Sequence, residues 1–381
     1  DIPWVNGLSL TTNASFDKGV NFQKRWIQPF ELYAWDRQTF DANHEPVVTA
    51  GKFGPSVDPQ LTQSTSESQR VLLNALVNYG LTVAEKNNIS FLAGVEKIVG
   101  NSMYFSAFRR GFVSTAIDQL FAGAEQQRNN DGSASHSAGL NYFGRLNYDF
   151  AQKYLLEFVW RYDGSYIFPE KGRFGFFPGV SAGWKISDEG FWKSGLSFID
   201  YFKIRGSWGK TGNDRIAPYQ YLSSYGFSST PYVFDEDIEV KALRELRIAN
   251  PNITWEVAQQ SNIGIDGRAL HNSLSFSADY FYNLRTNILW PRNASVPVSS
   301  GLTLLVENIG EVINRGFEFQ VGYNNGTGNF TYGVTVNSSF AKNKIKFWDE
   351  TPGVPEYQQS TGQPMNAGLY YNAIGIFKDQ A

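Results

Sequence analysis

Cysteine is absent from all 381 residues. Disulfide frameworks, zinc–thiolate sites and thiol nucleophiles are thereby excluded. Histidine is almost as scarce: His44, His136 and His271 are scattered, with no metal-ligand spacing and no nucleophile motif beside them. Neither sign of charge is in excess, at 33 basic and 36 acidic residues, so no electrostatic footprint for nucleic acid is present. No run of about 18 apolar residues occurs, which excludes a membrane-spanning helix. Gly132, Gly139 and Gly144 follow no phosphate-loop pattern. The opening DIPWVNGLSL lacks the basic start and apolar core of a secretory signal, so an envelope protein with this sequence has lost its signal or is a fragment.

Aromatic residues are plentiful, with 30 Phe, 20 Tyr and 10 Trp making up 16% of the chain, alongside 36 Gly. That mixture suits strands and turns. A mean hydropathy of −0.33 is compatible with a membrane barrel, because one face of each strand and all the loops of such a barrel are polar.

The pattern is plainest between residues 138 and 187. Leu140, Tyr142, Gly144, Leu146, Tyr148 and Phe150 alternate with Asn141, Phe143, Arg145, Asn147 and Asp149. After a turn at Ala151-Gln152-Lys153, Tyr154, Leu156, Phe158, Trp160 and Tyr162 alternate with Leu155, Glu157, Val159, Arg161 and Asp163. A third run carries Phe174, Phe176, Pro178, Val180, Ala182, Trp184 and Ile186 on its outer face. Period-two alternation this long exceeds a usual globular strand of about five or six residues and matches the 9–11 or so that a tilted strand needs to cross a bilayer. Aromatics gather where the apolar face ends, as in the girdles of a membrane barrel. The parity of the outer sets fixes the register: Leu146 should face Phe158, Gly144 should face Trp160, and Asn147 should face Glu157.

Twelve strands can be laid out, near 7–17, 22–36, 69–84, 89–98, 138–150, 153–164, 173–187, 201–210, 254–267, 272–285, 307–323 and 329–341. Short turns, among them 18–21, 151–153 and 324–328, alternate with long loops at about 37–68, 99–137, 211–253, 286–306 and 342–364. The expected fold class is therefore all-β, an antiparallel up-and-down transmembrane β-barrel with turns at one end and loops at the other. The alternative is a soluble β-rich module that binds glycan at the cell surface.

The stretch YLLEFVWRYDGSYIF…GRFGFFPGVSAGWKISDEGFW, followed by IDYFKIRGSWGKTGN, resembles the SusC/RagA family of TonB-dependent outer-membrane transporters. PNITWEVAQQSNIGIDGRALHNSLSFSADYFYNLRTNILW, ENIGEVINRGFEFQVGY and TGQPMNAGLYYNAIGIF are similar to the same family. The likeness is close over about 138–345 and fair at 360–377. It implies a barrel of about 22 strands closed by a plug, of which residues 1–381 would be a middle-to-late piece of the barrel domain, without the plug. It also implies import of large nutrients, glycan or peptide, driven by the TonB complex through regions outside this sequence. A SusD-like lipoprotein would cap the barrel from outside, and outer-membrane lipid would surround it.

Three sets of residues could carry function. Arg145, Asn147, Asp149, Glu157, Arg161 and Asp163 form a charged strip toward the lumen. It could touch substrate or plug, but the plainer reading is a cross-strand ion-pair ladder in a polar interior. Tyr219, Tyr221, Tyr225, Phe227, Tyr232 and Phe234 crowd one long loop ahead of Asp235-Glu236-Asp237. They could stack on sugar, though loop packing or partner contact fits better. The acids Asp235 and Glu239 have no pocket signature beside them, so glycoside hydrolysis is not supported. No enzyme, metal or cofactor is expected. The words RYDGS, KTGN and NRGFE read as architecture at strand ends.

Overall fold

The computed structural model describes residues 5–53, 58–196, 198–227, 232–234, 238–240, 242–247, 249–292, 306–327 and 330–375; for 232–234, 238–240 and positions 36, 37, 50, 52, 53, 244, 246, 247 and 327, only the backbone is described. Among the described residues, eleven antiparallel strands form one sheet, where the sequence led us to expect twelve. They are β1 (Leu8–Ile27), β4 (Gln60–Val83), β5 (Asn87–Arg110), β6 (Arg128–Phe150), β7 (Tyr154–Ser165), β8 (Phe174–Lys185), β9 (Ile199–Asn213), β14 (Glu256–Ala269), β15 (Leu274–Pro291), β16 (Val306–Thr327) and β17 (Phe330–Phe347), neighbouring one another in that order. Three small hairpins branch from the long connections: β2 (Phe30–Phe40) with β3 (Pro46–Phe53), β10 (Ser224–Phe227) with β13 (Leu243–Arg247), and β11 (Tyr232–Phe234) with β12 (Ile238–Val240). One short helix, α1 (Gly190–Gly195), lies between β8 and β9.

The missing strand is a correction at residues 18–21, which continue β1 instead of turning. Phe16, Val20 and Phe22 keep one parity and are all exposed, with Lys18 as the one polar residue between them on that parity, so the parity is the same on both sides of Asp17-Lys18-Gly19. Lys18 pairs with Glu67 at 3.5 Å, and a Cβ on Gly19 would lie 2.9 Å from the Ser68 hydroxyl. Gly19 therefore allows a close approach in a strand and is no turn glycine.

The strands are also longer than the alternation suggested. β4 and β5 each run 24 residues, β6 runs 23 and β16 runs 22. About ten residues cross a bilayer, so the remainder lies in water. There no bilayer imposes one apolar parity, so the period fades while the strand continues. Stretches expected as loops, such as 99–110, 128–137, 286–291 and 342–347, are strand for this reason. The tract at 324–327 likewise continues β16, and 328–329 lie outside the described residues.

Chain contacts divide the protein into two units. One comprises Asn13–Asn74 and Lys97–Ala138. Within it, Arg110 grips Asp58 through Nε at 2.9 Å and Nη2 at 2.5 Å, and Trp26 meets Phe112 edge-on at 4.7 Å. The other comprises Asp1–Thr12, Ala75–Glu96 and Gly139–Ala381 and holds the sites described below. Its short turns use the left-handed region without glycine, at Ala84 and Glu85, Ala151 and Gln152, and Leu270 to Asn272. Such mirror-type turns match the right-handed twist of the strands they join.

The register follows the sequence expectation. Leu146 faces Phe158, Gly144 faces Trp160 and Asn147 faces Glu157. Leu146, Phe158 and Val180, consecutive in one row, are 43%, 41% and 41% exposed. Further along the sheet, Tyr280, Phe317 and Phe340 form a similar exposed row. A soluble sandwich would bury one such face in a core. Here the apolar face is the solvent-accessible one, as lipid contact requires.

Candidate functional site

Opposite the lipid face, cross-strand register assembles polar rows. One runs Asn147, Glu157, Ser181, Ser207, Asn262 across β6, β7, β8, β9 and β14. These residues share a hollow of about 480 Å³ with Lys203 and Arg205, its floor lowered by Ser181, Gly183 and Ser207. A second row runs Gly183, Arg205, Gly264, Asp279, Glu318, Ser339 from β8 to β17. A third aligns four carboxamides, Gln260, Asn283, Asn314 and Asn343.

The charged strip read from sequence is on this face, and its members are satisfied locally. Arg145 reaches diagonally to Glu157 at 3.5 Å, with both side chains well exposed. Arg161 clasps Asp163 on its own strand with two bonds of 2.9 Å and lies 5.3 Å above the Phe143 ring. Asn147 donates to the Ser90 hydroxyl, and Asp149 accepts the Gln152 amide at 2.6 Å, which fixes the turn. Exposed pairs of this kind contribute about 0–1 kcal/mol each.

Sequence reasoning passed over a tighter cluster two strands away. The Arg205 guanidinium donates to both oxygens of Asp279, at 2.7 and 2.6 Å, and through Nε to Asp266 at 2.9 Å. It reaches Asp279 across β14 because Gly264 stands between them. A Cβ there would sit 2.5 Å from the Asp279 carboxylate and 2.9 Å from the guanidinium carbon. A glycine inside an otherwise regular strand was the available signal.

At the end with the long connections, three of them are tied into one body. Ile167 and Phe168 from the β7–β8 loop, Phe177 from β8, and Ile253 and Trp255 ahead of β14 form the buried cluster. Phe168 and Ile253 are fully buried. Trp255 packs its ring 5.1 Å from Phe168 and 5.3 Å from Phe177, and donates its indole N–H to the Arg173 carbonyl. Asn250 donates to the Val306 carbonyl at 2.6 Å, and Asn308 bonds the backbone of both Thr254 and Asn287. The words PNITWE and ENIG are thus the two sides of a fastening between loops.

The aromatic loop divides. Tyr221 packs on this cluster, and Tyr219 lies edge-on to Tyr166 and Tyr221 at 6.0 and 6.3 Å. Tyr225 and Phe227 sit on β10, 62% and 70% exposed, with Leu243 opposite Phe227. Tyr232 and Phe234 lie in β11, where only the backbone is described, and Asp235-Glu236-Asp237 lie outside the described residues.

Long antiparallel strands with a lipid-exposed aromatic face and a polar inner face define the wall of an outer-membrane β-barrel. The family model described as TonB dependent receptor-like, beta-barrel matches residues 3–376. The chain belongs to that family. It is 32% identical over 304 residues to TonB-dependent receptor P3 of Formosa agariphila, covering 76% of this chain and 29% of that protein. It is 29% identical over 215 residues to TonB-dependent receptor SusC of Bacteroides thetaiotaomicron, covering 56% of this chain and 21% of that one. Among solved structures, the RagAB peptide importer in its closed-closed state superposes with a TM-score of 0.77 at 19% identity, over 94% of this chain and 37% of that one. The chain therefore spans under a third of these curated relatives. The resemblance read from residues 138–345 is borne out, and the protein resides in the outer membrane.

Proposed function

We propose that this chain is a large part of the barrel wall of a TonB-dependent importer that carries bulky nutrients, oligosaccharide or peptide, across the outer membrane. The observation that carries the reading is the pairing of a lipid-exposed apolar face with an inner face of charged and carboxamide rows. Carboxamides both donate and accept, so the Gln260–Asn343 row suits the hydroxyls of a sugar or the backbone of a peptide equally. Among the described residues, no group of three or more His, Asp or Glu side chains is placed to hold one small ion. In this reading Arg145, Asn147, Asp149, Glu157, Arg161 and Asp163 keep the lumen wet and are not a binding site. Energy reaches the barrel from the TonB complex through parts of the protein beyond these residues.

The mouth takes a SusD-like lipoprotein, with the long connections inside the stretches 99–137, 211–253 and 286–306, namely those after β5, β9 and β15, as its seat. Tyr225, Phe227 and Leu243, with Val113, Phe121 and Leu222, are among the exposed apolar residues these connections offer. The test uses the full-length parent and its co-expressed lipoprotein. Uptake of labelled oligosaccharides and oligopeptides should stop when a proton ionophore collapses the inner-membrane gradient; uptake that persists overturns active import. Co-purification of the lipoprotein should fail when the three connections are shortened. A complex that survives all three deletions places the docking surface elsewhere.

A further inference from the structure

The connection from β8 to β9 differs from the other turns at its end of the wall because it folds over the outer face. Glu189, just before α1, accepts the Tyr154 hydroxyl at 2.8 Å and the Trp184 indole N–H at 3.3 Å, with Lys153 at 3.4 Å. Tyr154 and Trp184 belong to the lipid-facing set, 44% and 38% exposed. Within α1, Trp192 stacks on Phe202 at 5.1 Å and 10° between planes. Phe202 shares its parity with exposed Ile204, and register carries the same face through Gly267 to Phe276. The helix therefore lies against the outside of the barrel, at the level of its aromatic girdle.

The side turned away from the wall is apolar. Phe191 is 64% exposed, Phe198 59% and Leu196 38%. A turn standing in water would cover its phenylalanines with the wall and present polar groups outward. This turn does the reverse, and its exposed face is continuous with the lipid-facing surface of Tyr154 and Trp184. Lys193, in the last turn of the helix, adds a cation that an anionic headgroup would attract.

We propose that Phe191 on α1, and Leu196 and Phe198 just after it, are anchors seated in the phospholipid leaflet on the periplasmic side, where an outer-membrane barrel carries its short turns. The helix acts as an interfacial anchor that fixes the depth of this part of the wall. Short, aromatic-bearing segments lie in this way at the boundary of headgroups and acyl chains.

The experiment uses the full-length transporter, any other cysteines replaced, in nanodiscs of phosphatidylethanolamine and phosphatidylglycerol. Spin labels are placed at Phe191→Cys and Phe198→Cys, with Phe158→Cys as a lipid reference and Tyr357→Cys as an aqueous one. Power saturation compares collisions with oxygen, which partitions into lipid, and with a water-soluble nickel chelate. At positions 191 and 198 oxygen should dominate several-fold, at a depth between the two references. Nickel-dominated relaxation like that at 357 overturns the proposal. Protection from both reagents also overturns it, because another protein surface would then cover the helix. Should either variant fail to give the heat-modifiable folded band, Lys193→Cys on the same helix takes its place. Its label should report headgroup depth, and nickel values matching those at 357 would again overturn the anchor.

Discussion

Asn308 holds Thr254 by both of its backbone groups: the Thr254 N–H donates to Asn308 Oδ1 at 2.9 Å, and Asn308 Nδ2 donates to the Thr254 carbonyl at 2.8 Å. The side chain thereby substitutes for a strand neighbour at a point where the chain leaves the sheet. Asn308→Ala removes both bonds, together with the one to the Asn287 carbonyl, and strands partly buried backbone groups. At about 1 kcal/mol for each lost bond, the expected destabilisation is roughly 2–3 kcal/mol, confined to the mouth. Hydrogen exchange at the Thr254 amide should accelerate by about two orders of magnitude at that cost. Unchanged protection would show that Trp255 packing alone holds the segment.

Gly264→Ala should break the Arg205–Asp279 clasp, since the new methyl would occupy the space the guanidinium crosses. Gly206→Ala is the control: a Cβ there meets only the Asn262 carbonyl, at an ordinary 3.8 Å. The first should lower the unfolding midpoint of the purified barrel and the second should not. Equal midpoints would mean that the clasp adds nothing measurable.

Phe158 and Val159 adjoin in sequence but face opposite sides of the wall. Arg at a lipid-facing site near the midplane costs about 2–4 kcal/mol, whereas a lumen site accepts the charge beside water. Phe158→Arg should sharply reduce folded transporter in the outer membrane, and Val159→Arg should leave assembly near normal. Phe158→Leu should be silent, because lipid tolerates the change of shape that a packed core resists. Equal tolerance of Arg at both positions would defeat the membrane assignment of β7.

The Glu189 carboxyl is held below its ordinary value of 4.5 by hydrogen bonds from Tyr154 and Trp184, then by Lys153. A carboxyl lowered in the folded state stabilises at pH above its ordinary value, and that contribution is lost as the pH falls through the lowered one. Trp184 emission should therefore report loosening of the turn below about pH 4.5, with a midpoint under that value. Glu189→Gln should abolish the transition while leaving neutral-pH folding intact. A transition that persists in the variant would belong to another carboxyl.

Where lipid imposes a period, the sequence was legible. The hairpin from Leu140 to Tyr162 could be read to the register, because only one parity can face the bilayer. Above the bilayer that constraint lapses, and RNNDGSASHSA, which begins β6, reads as loop although it is strand. Lys18-Gly19 read as a turn because turn residues and close-approach residues are the same types. The Arg205 cluster was hidden for another reason. Its members come from three strands, and only the register of β9, β14 and β15 brings them together. The fastening at the mouth was present in the words PNITWE and ENIG, but nothing local says that an asparagine at 308 serves a threonine at 254.

That fastening sets how the mouth can move. Phe168 and Ile253 are wholly enclosed, and separating the segments that bury them would expose apolar surface costing about 1.5–3 kcal/mol for each large side chain. Motion that admitted cargo would find easier paths elsewhere. The segments 166–173, 250–255 and 306–308 would travel together as a jamb, and anything that swings would have to pivot on it. The hairpin of β10 and β13, joined to the jamb through Tyr221 and the Gln220–Asn250 backbone bond, is placed like a leaf on its hinge.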